Sequence, residues 1–194
     1  MRKLAFFGAG GHTQEVEMMI NPPEKIIRFV DELYVNENNL DVKYLNVDDY
    51  DVLVTIGISK IRKQVVETKL PPSTNYHTFI HPTAIIGKNV SIGKGSYIGP
   101  YCIVTENIVL GNFTILNRGV QVGHDCIIGD YFSAMPGAIV SGNCVIGECV
   151  YLGSNSSIKE KISICDNITI GLNAGVVKNI TEEGTYVGVP ANKK

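Results

Sequence analysis

The sequence predicts a small α/β domain with a parallel sheet, followed by a long parallel β-helix. Three observations carry the prediction. Residues 84–179 read without insertion or deletion as sixteen consecutive hexads. The first eighty residues instead alternate short apolar runs with helix-like stretches. Pro71-Pro72 and then His81-Pro82 punctuate the passage between the two patterns, placing the boundary near residues 78–82, with domains at 1–80 and 81–194.

The third place of each hexad runs Ile86, Ile92, Ile98, Val104, Leu110, Leu116, Val122, Ile128, Ala134, Val140, Ile146, Leu152, Ile158, Ile164, Ile170 and Val176. Only Ala134 is not Val, Ile or Leu. A fixed short period of this kind dictates the fold before any local reading. Each hexad supplies one flat side and one corner of a triangular prism, so three hexads close a coil. Each inward aliphatic residue then stacks on the one eighteen positions away, at the sheet spacing of about 4.8 Å. One coil alone could not bury its apolar face; a stack of coils can.

In the first third, residues 3–7 form a strand that ends in Gly8-Ala9-Gly10-Gly11-His12. Residues 13–20 read as a helix, with Val16, Met19 and Ile20 on one face. Residues 26–30 and 52–56 read as further strands and 58–68 as a second helix, an alternation that suits a parallel sheet with helices on its faces. A strand, a glycine turn and a helix N-terminus present backbone N–H groups to an anion. Asp31 and Glu32 follow about twenty residues later, as in dinucleotide-binding folds. However, Thr13 occupies the third glycine position of GxGxxG, and eighty residues supply only one mononucleotide-binding half of a Rossmann-like fold. This argues against NAD and for a single nucleotide or a nucleotide-sugar. The same glycines would also serve simply to close a tight turn.

The formal charge of −2 implies no nucleic-acid partner. No apolar run approaches the ~20 residues of a membrane span, and the N-terminal MRKLAFFGAGG is too short in its apolar part for a signal peptide. Five cysteines without CxxC pairs suit reduced thiols, and the expected location is cytoplasmic. Cys102, Cys126 and Cys144 fall on the first place of a hexad, expected to be an inward site for small residues. No metal site is expected, because His124 is the only histidine within the hexads and catalytic zinc takes three protein ligands.

His124 takes the fifth place of its hexad, on a corner, with Glu106 stacked below it and Gly142 above. Asp125 stacks between Asn107 and Asn143. A carboxylate bonded to one ring nitrogen fixes the tautomer and suits a general base near neutral pH. Either Asp125 or Glu106 could be that carboxylate. A solvated corner histidine would satisfy the same spacing.

GAGGH near the start, IHPTA at the junction, VGHDCxIGDY around His124, PGA at Pro136 and VGVPA near the end occur together. This combination resembles the bacterial hexapeptide-repeat sugar acetyltransferases, both the nucleotide-amino-sugar N-acetyltransferases of the bacillosamine and perosamine type and the sialic-acid O-acetyltransferases. The likeness covers essentially the whole chain. It implies a left-handed β-helix, a hand that spacing alone does not fix and that departs from the usual rule for parallel crossovers. It also implies a homotrimer with acetyl-CoA as co-substrate in the cleft between neighbours, and a nucleotide-amino-sugar held by the N-terminal domain.

Carried over by motif, the resemblance makes His124 the catalytic base, Asp125 the residue that raises its basicity, and Asn117 an active-site residue. Gly10, Gly11, His12, Asp31, Glu32 and Gly57 would contact the substrate. Gly142, Ser154 and Leu172 would line the acetyl-CoA cleft, as would Ser133, which stands where some members carry a second histidine. The activity implied is N-acetylation of a UDP- or dTDP-linked 4-amino-4,6-dideoxy sugar for glycan or O-antigen synthesis. O-acetylation of sialic acid or another sugar, and a non-catalytic trimeric binding module, are the alternatives.

Overall fold

The computed structural model describes residues 2–22 and 25–194. The N-terminal part contains β1 (Lys3–Phe7), α1 (Gly11–Ile20), β2 (Ile27–Val30), β3 (Leu40–Asp41), β4 (Tyr50–Val54), α2 (Ser59–Thr68) and β5 (Asn75–Tyr76). Its sheet has the order β3-β2-β1-β4-β5 and is parallel throughout. Central β1 and β4 are apolar on both faces, and Ala5, Phe6, Val52 and Leu53 are fully buried. This is the pattern of a parallel strand covered by helices on each side. The strand expected at 52–56 starts and ends two residues earlier, because residues 55–57 turn out of the sheet towards the next layer. The two-residue strands β3 and β5 are too short to leave a periodic signal.

The remaining strands form three parallel sheets wound as the faces of a prism. Face 1 begins with Phe79–Ile80 and continues through Tyr97–Ile98, Ile115–Leu116, Ser133–Ala134, Tyr151–Leu152 and Ile168–Ile170. Face 2 runs from Ile85–Ile86 through Gln121–Val122 to Gly175–Val176, and face 3 from Val90–Ile92 through Ile127–Ile128 to Ser163–Ile164. The ladder registers step by eighteen, as in Val104↔Val122 and Val122↔Val140. The coil is the left-handed parallel β-helix. It takes in one rung before the first hexad, and Gly184–Val187 adds another to face 1 at the far end, closed by the antiparallel strand Asn192–Lys193.

On each of the three faces the third places form one interior column and the first places another. Cys102, Cys126 and Cys144 are fully buried in the latter, yet Ile108, Phe132 and Ile168 are buried there too. The first place is therefore inward, as expected, but not reserved for small side chains. At the sixth places the chain turns each corner through the left-handed region, with positive φ at Asn89, Asn107, Asp125, Asn143, Asn155 and Asn173 among others. Asn and Asp tolerate this conformation better than most residues.

The N-terminal part packs on face 1 and on the corner between faces 3 and 1. Phe6, Val16 and Leu53 share a core with Tyr97 and Ile115. Arg62, fully buried, reaches from α2 into the β-helix. Its Nε donates to Phe113 O at 3.0 Å, and its Nη2 donates to Tyr131 O, Phe132 O and Ser133 Oγ at 2.9, 3.0 and 2.8 Å. Its Nη1 donates to Ile56 O at 2.6 Å. Burial pulls the guanidinium pKa below its ordinary value, and no carboxylate offsets that effect.

Candidate functional site

The expected substrate residues gather in one place, at the carboxyl ends of the central strands. Gly8 makes the first turn possible. Its φ is +133°, and a β-carbon there would lie 2.8 Å from Thr55 Oγ1 and 3.0 Å from Thr13 Oγ1. Those two hydroxyls are themselves hydrogen-bonded at 2.9 Å. The cap residue of α1, Gly10, offers no side-chain cap, so the first-turn N–H groups of α1 are left for a ligand or water.

A cleft of about 760 Å³ runs from Gly8, Ala9 and Gly10 past Asp31 and Glu32 to Tyr34, Ile61, Gln64 and Lys69. Lys69 Nζ lies 2.6 Å from Asp31 Oδ2, and that hydrogen bond holds the Asp31 carboxyl below its ordinary pKa. A second recess of about 320 Å³ shares Gly8, Ala9 and Gly10, and continues through Gly11, His12 and Gly57 to Met135 and Tyr151 on the β-helix. The two form one groove with the glycine loop at its middle, the size and polarity expected of a small-ligand site.

His12 stands in the second recess. Burial pushes its pKa down, against the pull of Glu15, whose Oε2 lies 3.7 Å from Nδ1. Its Nε2 is buried and has no hydrogen-bond partner among the described residues. The lining residues Tyr34, Lys69, Met135 and Tyr151 leave no signal in the sequence. Two come from a different domain, and neither aromatic sits in a motif.

His124 lies elsewhere. It occupies the corner between faces 2 and 3, while the N-terminal part covers face 1 on the opposite side of the prism. Its Nδ1 lies 2.7 Å from Asp125 Oδ2. The Asp125 carboxyl is held below its ordinary pKa, first by the bond from His124 and then by one from Asn107. An ionised carboxylate only accepts, so Nδ1 carries a proton, which leaves Nε2 as the nitrogen that can offer a lone pair. Asp125, and not Glu106, is therefore the carboxylate bonded to the ring. Its φ of +58° swings the side chain back beside the residue before it.

Gly142 makes room above the ring: a β-carbon there would lie 2.7 Å from His124 Nε2, so any side chain at 142 displaces the imidazole. The His124 side chain is 57% exposed and its Nε2 has no partner among the described residues.

The residues expected to line the cofactor cleft divide three ways. Gly142 shares the corner of His124. Ser154 and Leu172 sit on the corner between faces 1 and 2, with Leu172 exposed. Asn117 is on that same corner, buried, its Oδ1 accepting from Arg118 N–H at 2.7 Å. Ser133 is a correction. It is fully buried beneath α2, where its hydroxyl donates to Gly57 O at 2.7 Å and accepts from Arg62. A serine in place of a histidine is short enough to be sealed under α2, where it links that helix to face 1. Within one chain, then, His124 and Gly142 stand on one corner, Asn117, Ser154 and Leu172 on a second, and the groove lies over face 1.

Comparison with known proteins adds the family. Residues 3–69 match the PglD N-terminal domain, and residues 74–170, half of the chain, match the GMPPB C-terminal domain. No curated protein matches significantly. Among solved structures, the acetyltransferase domain of PglB from Neisseria gonorrhoeae is 28% identical, with all of both chains covered and a TM-score of 0.86. The same domain has been solved in complex with acetyl coenzyme A. WeeI from Acinetobacter baumannii is 26% identical over all of both chains, with a TM-score of 0.89. PerB from Caulobacter crescentus, in complex with CoA and GDP-perosamine, shares the fold at 21% identity, with 98% of this chain and 96% of that chain covered and a TM-score of 0.85. With the GMPPB C-terminal domain family over residues 74–170 and a PglD N-terminal domain before it, the chain belongs to the hexapeptide-repeat sugar acetyltransferases.

Proposed function

We propose that this protein transfers acetyl from acetyl-CoA to the amine of a nucleotide-linked 4-amino-4,6-dideoxy sugar, with His124 as general base. The observation that carries the reading is the His124 ring bonded to the Asp125 carboxylate, with Nε2 beneath Gly142 and unpartnered among the described residues. The acetyl-CoA complex of the 28% identical PglB domain supports the donor, and the groove along the glycine loop supports a nucleotide-sugar acceptor.

In the proposed reaction the sugar amine attacks the thioester carbonyl, the C–N bond forms and the C–S bond breaks. His124 Nε2 takes the amine proton, which then passes to the departing CoA thiolate. The Gly142 N–H donates to no backbone carbonyl among the described residues and would stabilise the oxyanion. Holding both substrates together makes an acyl-enzyme unnecessary. Cys126, beside the base, is fully buried, and the hydrogen bond its thiol donates to Cys144, together with burial, raises its pKa far above the ordinary thiol value.

The groove and His124 lie on opposite sides of one prism, so the active site takes a neighbouring chain. Apolar side chains flanking the His124 corner support this. Val109, Ile127 and Val145 stack in register on face 3 at 47%, 56% and 51% exposure. On face 2, Ile85 and Ile139 are exposed. Contiguous apolar surface of this kind marks an interface. We propose a cyclic homotrimer in which each cleft joins the His124 corner of one chain to the Asn117 corner and groove of the next.

The test is acetyl-CoA consumption against UDP-, dTDP- and GDP-linked amino-sugars, CMP-sialic acid and free sialic acid. Turnover with an amino-sugar, and none with its 4-hydroxy counterpart, is expected. Activity confined to hydroxyl acceptors would overturn the N-acetyl assignment, and no turnover with any acceptor would overturn the enzyme.

A further inference from the structure

We infer that Asn107, backed by Asn89, is a positioning residue that fixes the ring tautomer of His124 through Asp125. The inference rests on the role proposed for His124 and identifies what holds its carboxylate partner in place.

Four side chains form a continuous relay along one corner. Asn89 Nδ2 donates to Asn107 Oδ1 at 3.0 Å, and Asn107 Nδ2 donates to Asp125 Oδ1 at 3.2 Å. Asp125 Oδ2 in turn accepts from His124 Nδ1 at 2.7 Å. The first three residues are eighteen apart and occupy the same hexad place, with φ of 55°, 56° and 58°. The left-handed turn projects each side chain over the one in the next coil, so the amides stack without extra ordering.

The direction of the relay is forced. The ionised Asp125 can only accept, so Asn107 must present its NH2 group, and its carbonyl oxygen must then face Asn89. The amide dipoles align with the carboxylate at their end, each polarising the next. Without Asn107, the Asp125 carboxylate, 47% exposed, would be free to turn to water. The imidazole would then lose the bond that keeps its proton on Nδ1, and with it the lone pair aimed over Gly142. Nothing equivalent lies on the other side: Asn143, above Asp125, shares the left-handed turn but makes no side-chain hydrogen bond to it among the described residues.

The experiment uses the full chain with 15N-labelled histidine. Ring nitrogen shifts report the tautomer, and kinetics are measured in parallel. Asn107→Gly suits the positive φ and removes only the side chain. Asn107→Asp keeps the shape, loses the donor and places a like charge beside Asp125.

Wild type is expected to hold the neutral His124 ring as Nδ1–H. Both variants should shift it towards Nε2–H and lower kcat by about tenfold, the scale on which losing an outer hydrogen bond to a functional histidine is felt. KM for both substrates and the melting temperature should stay unchanged, and Asn143→Gly should match wild type. A wild-type tautomer in Asn107→Gly, or the same shift in Asn143→Gly, would overturn the relay. The tautomer is read without turnover, so an inactive wild type would count against the acetyltransferase reading alone. The ring shifts would still support or overturn the relay.

Discussion

His124→Ala is expected to lower kcat for acetyl transfer by roughly 10²–10⁴-fold, the usual share of a general base. KM for acetyl-CoA and for the sugar should change little, because the ring contributes in the transition state more than to ground-state binding. The reason for a clean result is geometric. The ring stands on an outer corner outside the apolar core, and among the described residues its bonded partner is the Asp125 carboxylate. Removing it leaves the ladder from Val104 through Val122 to Val140 intact. Steady-state kinetics beside a thermal melt checks this; unchanged turnover would remove His124 as the base.

Arg62→Met should produce the largest loss of stability from a single substitution. The side-chain volume is nearly kept, but the carbonyls of Ile56, Phe113 and Tyr131 lose their buried donor, while Phe132 O keeps its bond from Ile115 N–H. Each buried acceptor left unpaired costs about 1–3 kcal/mol, and some water will enter, so a net loss on the order of 3–5 kcal/mol is expected. Arg62→Lys should fall between, because an ammonium can reach only some of the same carbonyls. Denaturant unfolding measures the difference. A loss below about 1 kcal/mol would mean that the guanidinium does not join the domains as its contacts imply.

These two residues differ in how visible they were in the sequence. The hexads were legible because each place in the repeat has one environment, and stacking by eighteen correctly set Glu106 and Gly142 on either side of His124. The choice between Asp125 and Glu106 was not legible. It depends on the left-handed turn at Asp125, which periodicity does not report. A signal was nonetheless present, since Asn89, Asn107, Asn143, Asn155, Asn167 and Asn173 recur at the sixth place.

Arg62 left no trace. On helical spacing it reads as one more polar residue of α2, and only the docking of α2 onto the β-helix buries it. Ser133 misled for the opposite reason. The motif position carried the expectation of a ligand contact, whereas the shorter side chain is sealed beneath Arg62 and Ser59. The sequence also could not reveal that the groove and the histidine face away from each other.

That separation is tested most directly by mixing two inactive proteins. One is His124→Ala. The other is Gly10→Trp, chosen because a β-carbon at Gly10 meets nothing within 4 Å, so the indole fills the groove without straining the backbone. Each homomer should be inactive. Subunits dissociated and reassembled together at equal ratio should regain about a quarter of wild-type turnover, since a shared site then receives an intact histidine and an intact groove half of the time each. Activity that stays at the level of the separate variants would contradict a site shared between chains.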